Sequence, residues 1–150
     1  MTYKGVIFDL DGTLVNSIKD IADAMNIVLN RYNFPQHDYE TYKTFVGSGI
    51  KTLVIRALPE HHQNEMQINL CFEAMKTIYA ERCTNKTKVY DGIHTLIEKL
   101  QQHGIKQSIL SNKADVLTKK VASQVLPDYF ETVVGLTTEA LKKPNPKVAL

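Results

Sequence analysis

The pattern of apolar and polar positions changes character twice along the chain. Near the start, Tyr3 to Phe8 is short, apolar and β-branched in its middle, which predicts a buried strand. A helical period then takes over. Ile18, Ile21, Ala22, Met25, Leu29 and Tyr32 fall on one helix face, with Ser17 placed to cap the helix and Pro35 to end it. Tyr39 to Phe45 predicts a second helix that stops at Gly47-Ser48-Gly49, and a third runs on to Leu58 and Pro59. A longer helix is expected over Gln63 to Arg82, with Met66, Leu70, Ala74, Met75 and Ile78 on one face.

From Val89 the elements alternate. "GIHTLIEKLQQHG" reads as an amphipathic helix closed by Gly104, "IKQSILSN" as a strand, "ADVLTKKVASQVL" as a helix and "FETVVG" as a short strand. Strand and helix in this rhythm predict a parallel sheet joined by right-handed crossovers. The fold class is therefore α/β. Residues 1–15 and 86–150 are expected to form the core, with residues 16–85 a helical lobe inserted after the first strand.

Composition narrows the function. With 43% hydrophobic and 23% charged residues, the chain reads as an ordinary soluble globular protein. A formal charge of +2, with Lys and Arg scattered, argues against nucleic acid and anionic membrane as partners. No apolar run approaches the ~20 residues of a membrane span, and "MTYKGVIFDLDG" lacks the apolar core of a signal peptide. Cys71 and Cys83 share one expected helix, roughly 18 Å apart along its axis, so they read as free thiols suited to the cytoplasm. The five histidines read as surface positions without a role.

The chemistry concentrates in "FDLDGTL". Asp9 and Asp11 stand one residue apart at the end of the first strand, followed by Gly12, which supports a tight exit. Nothing in folding requires like charges that close. In open parallel sheets, ligands bind beyond the carboxyl ends of the strands, and Asp9 and Ser111 both occupy such ends. Two acids there can bind a hard cation such as Mg²⁺, attack as a nucleophile, or exchange protons. Taken singly, Ser111-Asn112 also fits simple helix capping, and Lys143 fits an exposed surface lysine.

"DLDGTLV", "ILSN" and "KKPNP" together resemble the three ordered motifs of the haloacid dehalogenase superfamily, across essentially the whole chain. The resemblance implies a Rossmann-like three-layer core and an aspartyl-phosphate mechanism. Asp9 would be the nucleophile and a Mg²⁺ ligand. Asp11 would serve as general acid and then base, with its backbone carbonyl on the metal. Gly12, Ser111, Asn112 and Lys143 would bind phosphate, and Lys143 would also orient Asp9. The second aspartate favours phosphatase chemistry over dehalogenation, because an alcohol leaving group needs a proton.

"FVGSGIKTLVIRAL" and "VYDGIHTLIEKLQQHGIKQSILSNK" resemble phosphoglycolate phosphatases. Gly47, Ser48 and Gly49 then become candidate substrate contacts, and a small phosphorylated metabolite the expected partner. Asn16 and Asp91 depart from the common Asp and Pro of that group. The alternatives are a sugar-phosphate mutase, a pyrophosphatase, or a catalytically impaired fragment. The last arises because the family's fourth, acidic motif has no counterpart between Lys143 and Leu150. On that reading the core is truncated at its C-terminus, and self-association through it is expected.

Overall fold

A computed structural model describes residues 3–149 of the chain, which divide into two compact units: residues 3–16 with 88–149, and Ser17–Thr87. The elements of the first unit are β1 (Gly5–Phe8), β2 (Val15–Asn16), β3 (Lys88–Val89), α5 (Ile93–Gln102), β4 (Lys106–Ala114), α6 (Asp115–Val125) and β5 (Thr132–Leu136). Those of the second are α1 (Ile18–Arg31), α2 (Tyr39–Phe45), α3 (Ile50–Ala57) and α4 (Glu65–Arg82). Among the described residues no helix is long and apolar enough to cross a membrane.

The first unit is built on a parallel three-stranded sheet in the order β1-β4-β5. Register sorts its side chains into two faces. Val6 pairs with Gln107 and Phe8 with Ile109, and Ile109 pairs with Val133, so these residues share one face. Both helices of the unit lie on that side. The Gln107 amide donates to the Ile97 carbonyl of α5, and Gly135 of β5 sits directly beneath α6. The opposite face carries Ile7, 56% exposed, with half-buried Ser108, Leu110 and Val134. The α/β class and parallel sheet agree with the sequence, and the described helices of this unit cover one face.

Several local expectations are corrected. The first strand begins at Gly5, not Tyr3, and β4 continues past Asn112 to Ala114. A two-stranded antiparallel ribbon, β2 with β3, pairs Val15 with Val89 and Asn16 with Lys88 where the chain leaves and re-enters this unit. Its strands are too short to leave a periodic signal in sequence.

In the helical unit, α4 packs against α1 and α3 through Cys71, Met75 and Tyr79. Met66 is 81% exposed and Leu70 is also exposed, so the inward face is rotated from the one predicted. Spacing alone favoured the more apolar residues, whereas Cys and Tyr supply the buried stripe. Ser17 holds the N-cap position of α1 without a side-chain capping bond; Asp38 and Asn64 do cap α2 and α4, accepting from Thr41 N and Gln67 N. His37 is no bare surface residue, since its Nε2 lies 2.8 Å from the Ala57 carbonyl and its ring packs edge-on to Tyr42 and Phe45. Cys71 and Cys83 are buried free thiols, as expected.

Two contacts hold these units internally. Asp20, buried at the start of α1, accepts from the backbone N–H groups of Lys86 and Thr87 and from the Thr87 hydroxyl, all at 2.8–2.9 Å. A buried carboxylate with several donors fixes the segment that follows α4 onto α1. In the sheet unit, a Cβ on Gly135 would lie 2.5 Å from Asp115 Cα and 2.6 Å from the Lys113 carbonyl oxygen, so only glycine fits there. The Lys119 ammonium, helped by the Gly135 N–H that also donates to Asp115 Oδ1, holds the Asp115 carboxyl below its ordinary range.

Asp20→Ala should therefore lower stability by about 2–3 kcal/mol in urea unfolding, the range for lost hydrogen bonds to a charged group. Gly135→Ala should cost about 1–3 kcal/mol or more through overpacking against backbone. A wild-type midpoint in either variant would contradict the corresponding assignment.

Candidate functional site

The sequence that ends β1 builds half of the site. After Phe8 the chain turns around one carbonyl: Leu10 O accepts from Thr13, Leu14 and Val15 N–H, while Gly12 N–H donates to Val15 O. Leu10, Leu14 and Val15 are fully buried, and this anchors the turn. Gly12 has φ +80°, a conformation that strains any residue bearing a Cβ. Exposed Asp9 and half-buried Asp11 flank the buried Leu10.

The other half comes from a register break. Leu110 of β4 pairs with Val134, but the next pairing is Ala114 with Leu136, so β4 carries extra residues between them. Ser111, Asn112 and Lys113 occupy that bulge. A bulge bends the strand and re-aims its side chains, which is why such irregularities gather at sites. Ser111 is buried, and its Oγ accepts from Lys113 N–H at 3.1 Å. Asn112 uses its side-chain carbonyl to hold the backbone of the segment after β5, accepting from Lys143 N–H at 2.8 Å.

Lys143 follows β5 and a short 3₁₀ turn, Glu139–Leu141. Its ammonium donates to Asp9 Oδ1 and to the Leu110 carbonyl, each at 2.9 Å. At the carboxyl ends of the parallel strands, Lys143 thus links Asp9 and Asn112, and Lys113 links Asp11 and Ser111. Gly47, Ser48 and Gly49 belong to the helical unit, between α2 and α3, where Gly47 and Gly49 both have positive φ.

Sequence reasoning passed over Lys113. Its side chain is only 3% exposed, and its ammonium lies 2.7 and 2.8 Å from the two oxygens of Asp11. Each acid of the pair therefore has its own lysine. In the structure Gln107, Ile109, Ser111 and Lys113 form one buried series along β4, but three of the four are polar, so the sequence carries no apolar alternation to mark Lys113 as inward.

Among the described residues no group of three or more acidic, histidine or cysteine side chains stands ready to hold a metal. The donor set of two carboxylates still fits Mg²⁺, which is commonly held by one or two carboxylates and otherwise by water and substrate phosphate. It offers no soft ligand that would favour zinc.

Known proteins resemble this chain in sequence and in fold. Residues 6–150 match the family model described as haloacid dehalogenase-like hydrolase. The chain is 32% identical over 146 residues to a phosphoglycolate phosphatase of Aquifex aeolicus (strain VF5), covering 97% of this chain and 66% of that one. It is 35% identical over 146 residues to the phosphoglycolate phosphatase of Chromobacterium violaceum, covering 95% and 66%. It superposes on the crystal structure of a predicted phosphoglycolate phosphatase from Haemophilus somnus 129pt with a TM-score of 0.86 and 26% identity, covering 98% and 68%. The chain spans about two thirds of the length of the curated relatives it matches. With its family model matched over residues 6–150, the chain belongs to the haloacid dehalogenase-like hydrolase family.

Proposed function

We propose that this chain carries the catalytic site of a Mg²⁺-dependent phosphatase acting on a small phosphomonoester of the phosphoglycolate kind. The observation that carries the reading is the pairing of Asp9 with Lys143 and of Asp11 with Lys113 at one end of the sheet. The names of the relatives support the substrate class.

In this reading an oxygen of Asp9 attacks phosphorus, and the bond from phosphorus to the substrate oxygen breaks. Asp11, protonated at that moment, gives its proton to the departing alkoxide. The acyl phosphate on Asp9 is then attacked by water, whose proton Asp11 takes back as phosphate leaves. Lys143 lies within reach of Asp9 and offers positive charge where the phosphoryl oxygens would gather. Ser111 and the Gly12 and Asn112 segments would supply further donors to phosphate. Asp9 and the Asp11 carbonyl would hold Mg²⁺, which when bound neutralises phosphoryl charge. Gly47, Ser48 and Gly49 would contribute substrate contacts from the cap.

The full chain with Mg²⁺ should hydrolyse small phosphomonoesters. Asp9→Asn should reduce kcat by roughly 10³-fold or more, as expected when a covalent nucleophile is removed. Lys143→Met should cost on the order of 10²-fold through lost charge stabilisation. An Asp9→Asn variant that keeps its rate would overturn the nucleophile assignment.

A further inference from the structure

We infer that Lys113 is a positioning residue for Asp11, holding its carboxylate in the one orientation from which it can exchange a proton with the leaving group. The inference rests on the phosphatase reading and assigns a role to a side chain that reading does not use.

Its mount is rigid. The Lys113 N–H donates to Ser111 Oγ at 3.1 Å, and the Lys113 carbonyl accepts from the Thr118 hydroxyl of α6 at 3.0 Å. Gly135 of β5 lies close enough that a Cβ there would come within 2.6 Å of that carbonyl oxygen. The backbone of Lys113 is thus held by its own bulge and by α6.

Its side chain then runs inward, where an ammonium is costly to bury without a partner. Packing alone would be served as well or better by an apolar residue of similar volume. The ammonium instead reaches both oxygens of Asp11 at once, a two-point contact that restrains rotation of the carboxylate.

Asp11 needs such restraint. Its side chain is 25% exposed and precedes a glycine of positive φ, so burial does not fix its rotamer. A general acid–base must sit within hydrogen-bond reach of the atom it serves, and small misplacements are costly in rate. Lys143 restrains Asp9 from the other side of the site, so each carboxylate is oriented by a different segment.

The test exploits the leaving group. An alkyl phosphate expels a basic alkoxide that needs the Asp11 proton, whereas 2,4-dinitrophenyl phosphate expels a stable phenolate that does not. In the full chain with Mg²⁺, Lys113→Met should slow release of the alcohol from the alkyl ester in a single turnover, the step before water attacks, by about 10²-fold, the scale of one general-acid contribution. It should change release of dinitrophenolate in a single turnover much less, while the later attack of water on the acyl phosphate slows equally for both esters. Lys113→Arg, which keeps the charge and the fold but shifts the donors, should show the same selectivity in weaker form and serves if the Met variant does not fold. A crystal structure of either variant should show the Asp11 carboxylate displaced or in several rotamers.

Equal loss in the leaving-group release rate on both esters, or an unmoved Asp11 rotamer, would overturn the assignment and leave Lys113 a structural residue. An unsubstituted chain that hydrolyses neither ester would instead remove the phosphatase reading, and this inference with it.

Discussion

Two carboxylates one residue apart must be compensated, and most of the sheet unit is arranged to do it. Asp9 and Asp11 flank a buried leucine in a turn that places both near the end of β1. Left alone they would repel each other at close range. One lysine comes from a bulge inside β4 and the other from the segment after β5. The site can form only if β4 and β5 pair with the offset that makes the bulge, and if Gly135 lets α6 close over β5.

That dependence ties stability to function. The Lys113 carbonyl is pinned by Thr118 and crowded by Gly135, so packing of α6 onto β5 sets where its ammonium can reach. Asn112 plays the corresponding part for Lys143, gripping its backbone so that the side chain spans to Asp9. In the helical unit Asp20 performs a purely structural version of the same task, with a buried carboxylate organising backbone donors.

The sequence revealed what is local. Asp9, Asp11 and Gly12 lie in one short motif whose spacing can be read directly, and the helices of residues 17–87 announce themselves by period. Register is a non-local property, so the bulge at Ser111–Lys113 left no trace, and Lys113 passed for an ordinary residue beyond a strand. The ribbon of β2 with β3 was hidden by its brevity, and the inward face of α4 by a stripe of Cys71, Met75 and Tyr79 less apolar than its neighbours. Lys143 was legible only from the order of the motifs, because nothing local distinguishes it from a surface lysine.

The most direct test of covalent chemistry at Asp9 is rapid quenching of the full chain with substrate and Mg²⁺, followed by mass spectrometry of the digested protein. A phosphoryl adduct on the peptide containing Asp9, formed within a single turnover and absent from Asp9→Asn, is the predicted result. Full turnover with no adduct at any time, or an adduct on another residue, would contradict it.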